Sequence, residues 1–182
     1  MLANTAPAWW NATPDTGERA LDISRALEQG VASELTKVRG PGAQSWRVSV
    51  RTQDLNAWLN ARLPQWLAHD ASLPWPKDVQ MPQVRIGTDG IEAAAEWNGW
   101  IVASAWKVES GNAQLAARLV PNGAKVGRLP APFASGVGAW FVPQLAHAVP
   151  LELHLGDGRV VRVTGVTFGH DQAVIDCTTI TR

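Results

Sequence analysis

The dipeptide Asn98-Gly99 places the tightest local demand on this 182-residue chain. Ile91 to Trp97 and Trp100 to Val108 flank it with alternating side chains. A two-residue hairpin loop of type I′ needs φ > 0 at both central positions, and Asn followed by Gly is the pair best suited to that conformation. The turn therefore predicts an antiparallel hairpin and sets its register. Ile91, Ala93, Ala95, Trp97, Trp100, Val102, Ser104, Trp106 and Val108 then share one face, and Glu92, Glu96 and Lys107 share the other. Three Trp on a face otherwise made of small residues form an uneven surface that something must cover.

Helices are expected before this hairpin. Residues 1–13 read as an irregular arm with Trp9-Trp10 as a docking pair. Asp15 and Glu18 have the spacing of a capping box, and Ala20, Ile23, Leu27, Val31, Leu35 and Val38 form an apolar stripe at helical spacing. Gly40-Pro41-Gly42 ends that helix. Trp46 to Arg51 alternates as a strand. Thr52 then reads as the N-cap of a second helix, with Asp54 in its first turn and Leu55, Trp58, Leu59, Leu63, Trp66 and Leu67 on one face. Pro64 cannot donate to Asn60, so a kink or break is expected near Leu63.

After the Pro-rich loop around Trp75, a strand is expected at Gln83 to Ile86. Two more, Asn112 to Val120 and Ala124 to Leu129, are separated by a turn at Pro121-Asn122-Gly123. The run Phe133 to Val149 is apolar but interrupted by Gly136, Gly138 and Pro143, and reads as an irregular helical insertion. A closing antiparallel meander runs Leu151 to Leu155, Arg159 to Phe168 and Ala173 to Thr181. The expected fold is α+β, one domain over residues 1–182, with a twisted antiparallel sheet packed against one or two N-terminal helices.

Composition narrows the function classes. The chain is 46% hydrophobic, too apolar for a disordered segment, and no apolar run approaches the roughly 20 residues of a spanning helix. There are 16 Lys+Arg and 16 Asp+Glu, split nine and nine through Ile91 and seven and seven after it, so no basic lobe exists to hold nucleic acid. The first seven residues lack a basic stretch followed by an apolar one and are not expected to be a signal peptide. The protein is then expected either to be cytoplasmic or to have lost an N-terminal anchor.

No catalytic or metal site, and no cofactor, is expected. His69, His147, His154 and His170 lack ligand spacing to one another or to Cys177, the only cysteine. Ser104, Ser110 and Ser135 lack a nucleophile context. Ser135-Gly136-Val137-Gly138 lacks the lysine of a phosphate loop. Glu92 and Glu96 lie about 13 Å apart along a strand, too far for a retaining carboxylate pair. Cys177, beside Asp176, reads as a packed thiol.

Three stretches resemble two bacterial groups, the YpmS-like proteins and the LmeA-like phospholipid-binding proteins. Val48 to Leu59 resembles their strand followed by a T-x-x-x-L-N-x-x-L helix, Gly127 to Pro132 their G-x-L-P-x-P stretch, and Val163 to Thr167 with Ala173 to Ile175 their closing hairpin. The resemblance implies an extracytoplasmic domain tethered to the membrane, with a curved sheet wrapped against a long helix around an apolar groove for lipid chains. The chain departs in having no membrane helix and an unusually Trp-rich sheet.

The expected function is a non-catalytic binding domain that carries or senses a lipid or other apolar ligand between the second helix and the Trp-bearing sheet. Trp58, Leu59, Trp66, Trp97, Trp106 and Phe141 would line the site. The alternative is a structural or protein-interaction domain with a filled core, in which Trp9, Trp10 and Trp75 form an exposed docking patch. An enzyme would need His69, His170 and an acid brought together.

Overall fold

The computed structural model describes residues 5–40, 42–69, 75, 78–110, 117–126, 129–130 and 152–180. The fold is α+β with antiparallel strands in two sheets. In chain order the elements are α1 (Glu18–Thr36), β1 (Ala43–Arg51), α2 (Thr52–Ala57), a π-helical segment (Trp58–Arg62), α3 (Leu63–His69), β2 (Val79–Gly87), β3 (Gly90–Trp97), β4 (Trp100–Ser110), β5 (Ala117–Val126), β6 (Leu129–Pro130), β7 (Glu152–His154), β8 (Val160–Phe168) and β9 (Gln172–Ile180). One sheet has the order β1-β9-β8-β7 and the other β2-β3-β4-β5-β6. The single expected sheet is thus two sheets, because β1 pairs across the whole chain with β9 and leaves β2 to start a second one.

The hairpin forms in the expected register. Asn98 and Gly99 both have positive φ, 50° and 78°, and Trp97 pairs with Trp100 and Ile91 with Trp106. At the far end Gly90 meets the partner strand so closely that a Cβ would lie 2.0 Å from the Trp106 carbonyl oxygen, so only glycine fits.

The expected turn at Pro121-Asn122-Gly123 is instead a bulge inside continuous β5. Trp106 pairs with Pro121 and Ala105 with Gly123, leaving Asn122 as the extra residue. Pro and Gly there bend a strand without ending it, since both flanks keep their pairing to β4. The expected insertion at Phe133 to Val149 lies outside the described residues.

Helix ends differ from the sequence expectation in an instructive way. Asp15 accepts a hydrogen bond from the Gly17 N–H (2.8 Å) and α1 starts at Glu18, without a side-chain cap or a capping box. Its C-terminus comes at Thr36, before Gly40, because two arginines take the terminal carbonyls. Buried Arg159 donates to the carbonyls of Thr36 and Lys37 (3.0 and 2.6 Å), and Arg39 to those of Glu34 and Lys37. Arg159 also pairs with Asp157 and so ties the helix end to the β7–β8 turn. Val38, expected on the apolar stripe, falls beyond the helix and is 85% exposed.

Pro64 neither breaks nor ends the second helix. The backbone widens into the π segment just ahead of it, and the Leu63 N–H bonds to the Trp58 carbonyl five residues back. Part of the face that packs against α1 consists of small residues. Ala57 and Ala61 meet Ala20, with Leu21 and Ile23 packed alongside, so the helices approach closely.

The second helix lies along the outer edge of β2 and not on a sheet face. Thr52 Oγ1 accepts from the Ile86 N–H (3.1 Å). Asn56 accepts from the Val84 N–H (2.7 Å) and donates to the Val84 carbonyl (2.9 Å), and Asn60 donates to the Pro82 carbonyl (3.0 Å). Four helical residues rise about 6.0 Å and two strand residues about 6.8 Å, so side chains at 52, 56 and 60 keep step with backbone groups at 86, 84 and 82. Thr52, expected as an N-cap, spends its hydroxyl on this edge. Gln83 and Trp10 hold the N-terminal arm to the same strand: Gln83 bonds both the N–H and the carbonyl of Asn11, and Trp10 donates to the Met81 carbonyl.

Replacing Asn56 with Leu removes both bonds to Val84 and leaves a strand N–H and carbonyl unpaired beside an apolar side chain. It is expected to cost about 2 kcal/mol in urea unfolding. Asn56→Asp is expected to be at least as harmful, because a carboxylate would face the Val84 carbonyl.

Candidate functional site

The second helix turns its two tryptophans toward α1. Trp58 and Trp66 pack with ring centroids 6.3 Å apart, and both indole N–H groups donate to Oε1 of Glu28 (2.9 and 3.2 Å). Arg62, between them in sequence, donates to both oxygens of the same carboxylate through Nε and Nη2. Donation from Arg62 is the largest influence on Glu28 and, helped by the two indoles, holds its carboxyl below the ordinary value of 4.5 despite partial burial. This node locks α1 to the second helix. Trp66 keeps 48% of its surface exposed, and Leu59 is half-buried.

Trp97 and Trp106 sit elsewhere. They share a face of the β3–β4 hairpin but mark its opposite ends, roughly 20 Å apart at strand rise. Trp106 is buried and donates to Ser104 Oγ (2.9 Å); Trp97 is half-buried opposite Trp100. Phe141 lies outside the described residues. The structure therefore brings Trp58 and Trp66 together but does not gather them with Trp97 and Trp106 into one lining.

Trp9, Trp10 and Trp75 are each half-buried against β2. Arg85 stacks over Trp9 at 5.6 Å, Trp10 bonds Met81, and Trp75 donates to the Val79 carbonyl (3.4 Å). His69 ends α3 with Nδ1 2.7 Å from the Gln65 carbonyl, while His170 is almost fully exposed in the β8–β9 turn. Cys177 is buried, and burial together with Asp176 raises its pKa, as a packed thiol requires. Among the described residues no group of three or more His, Cys, Asp or Glu could hold a metal ion, and no helix is long and apolar enough to cross a membrane.

Two concavities stand out. One, about 420 Å³, lies where the β2–β3 turn, β4 and the β8–β9 turn meet. Its wall carries Arg85, Asp89, Glu92, Lys107 and Asp171, of which Arg85 and Glu92 form an ion pair (2.6 Å). The other, about 400 Å³, lies between α1 and β1. Ile23, Ala26, Leu27, Gly30 and Val31 of α1 form one wall, Arg47, Val48 and Ser49 of β1 the other, with Glu34 and Asp54 also lining it. From Ile23 to Glu34 the helix runs about 16 Å.

This second groove has an apolar wall made from the α1 stripe. Sequence periodicity marks Ile23, Leu27 and Val31 correctly as one face, yet they are only half-buried. Gly30 sits in the helix interior with nothing within 4 Å of where its Cβ would be. Glycine there costs helix stability without serving a close contact, and it widens the groove. That mid-helix glycine on the apolar stripe is the sequence signal that marks the site.

No family model, curated protein or solved structure matches the chain.

A group whose pKa is lowered on folding stabilises the fold above its unfolded value, and that stability is lost as pH falls through the lowered folded value. Glu28 is such a group. The stability advantage of the wild type over Glu28→Gln is expected to shrink as pH falls from about 6 to about 3, followed by urea midpoints at each pH.

Proposed function

We propose that the chain is a non-catalytic binding domain that takes an apolar ligand into the groove between α1 and β1. One observation carries this: Ile23, Leu27 and Val31 of the helix's apolar stripe line a groove, with Gly30 enlarging the space. Burying the exposed parts of Ile23, Leu27, Val31 and Val48 against an apolar group supplies about 25 cal/mol per Å². The resemblance to the LmeA-like phospholipid-binding group supports the same ligand class and, with it, an extracytoplasmic and tethered location. The Trp58–Trp66 pair does not line the groove, so those tryptophans serve the site by positioning the helix.

The test is calorimetric titration with dodecanoate, a single-chain amphiphile that presents little beyond an apolar tail. Wild type is expected to bind, and Gly30→Leu, which places a side chain in the groove, is expected to bind at least tenfold more weakly. Gly30→Ala is expected to gain about 0.5–1 kcal/mol of stability while still binding. Equal binding by wild type and Gly30→Leu would place the ligand elsewhere and sink this reading.

A further inference from the structure

We propose that the ligand of this groove is an extended polypeptide segment that joins the four-stranded sheet as a strand beside β1. The inference rests on the groove being the binding site and goes further by naming what fits it. β1 is an edge strand, with β9 as its neighbour in the sheet. Asp171 accepts from the Thr52 N–H one step beyond the β1–β9 ladder. Antiparallel pairing alternates, so even-numbered residues of β1 aim their backbone groups at β9, and Ser45, Arg47 and Ser49 aim theirs outward. Among the described residues nothing bonds to those outward N–H and carbonyl groups. Arg47 and Ser49 line the same groove that α1 walls with apolar side chains.

This pairing of surfaces discriminates between ligands. An acyl chain satisfies the apolar wall but strips water from the strand edge without replacing its hydrogen bonds, so it binds more weakly than a ligand that satisfies both. An extended peptide satisfies both, since main-chain bonds hold it to the edge and alternate side chains enter the space beside Gly30. The groove's charges add a preference. Arg47 is neutralised by Asp176 (2.6 Å), and Glu34 is paired with Arg39 (2.7 Å). Half-buried Asp54 has no ion-pair partner among the described residues. A peptide with alternating apolar residues and one basic residue placed against Asp54 is therefore the complementary ligand. The edge strand β2 is covered by side chains of the second helix, whereas among the described residues no such side chains bond the outer edge of β1.

The experiment uses the full chain and an array of synthetic nine-residue peptides with Val or Leu at alternate positions and one Lys walked along the sequence. Fluorescence anisotropy finds the tightest member. N-methylation of its alternate amides is expected to weaken binding at least tenfold, and N-methylation of the intervening amides to leave it within about twofold, because only one set meets β1. Asp54→Asn is expected to weaken the Lys-bearing peptide several-fold and the Lys-free parent much less. Gly30→Leu is expected to abolish binding. The N-methyl comparison leaves the protein unaltered, so misfolding of a variant cannot produce it. Binding that ignores the N-methyl pattern, or that survives Gly30→Leu, overturns the proposal. If no peptide binds while dodecanoate binds in a Gly30→Leu-sensitive way, strand addition falls and the apolar groove stands. If neither binds, both fall.

Discussion

The side chains of Thr52, Asn56 and Asn60 along the outer edge of β2 are the constraint on which the rest of the architecture hangs. An edge strand presents unpaired N–H and carbonyl groups that must find water or a partner. Here a helix supplies the partners, because its four-residue step nearly matches the two-residue step of the strand. Asn56 acts as a peptide-group mimic, accepting from and donating to one residue of β2. The second helix is held in place from that side, and α1 is then positioned against its opposite face through Ala20, Ala57 and Ala61.

The same economy explains the join between the sheets. Asp171, with φ of 61° in the β8–β9 turn, accepts from Thr52 and donates to the Ile86 carbonyl (3.3 Å). One turn residue thus links β1, the start of α2 and the edge of β2. Together with Arg159 at the end of α1, it fixes the helix layer relative to the four-stranded sheet. Glu28 completes the arrangement by collecting Trp58, Arg62 and Trp66. With α1 held at both its C-terminus and its α2-facing side, its remaining apolar face stands opposite β1 across the groove.

That arrangement leaves the edge strands β1 and β2 in different surroundings. β2 is bonded by helix side chains and by the N-terminal arm, whereas among the described residues nothing bonds the outward backbone groups of β1. The groove thus brings together an apolar wall, a strand edge and the acidic Asp54.

Local patterns in the sequence determined the hairpin register, the strand–helix order and the closing meander, because two-residue turns and side-chain periodicity act over a few neighbours. The apolar face of α1 was equally legible in Ile23, Leu27 and Val31. Only the tertiary structure decided what that face meets. Nothing in a helical period distinguishes a stripe that packs against a core from one that lines a groove. The edge-covering role of Thr52, Asn56 and Asn60 was hidden for a related reason. Their partners lie 22 to 34 residues away in sequence, and a polar residue on a helix reads as solvated until a strand is laid beside it. Trp58 and Trp66 looked like a ligand lining by their size, yet their indole N–H groups settled toward Glu28, a partner 30 and 38 residues distant that composition and spacing could not name. Short-range geometry is written in neighbouring residues, whereas the choice between core, edge and groove depends on which elements the folded chain sets side by side.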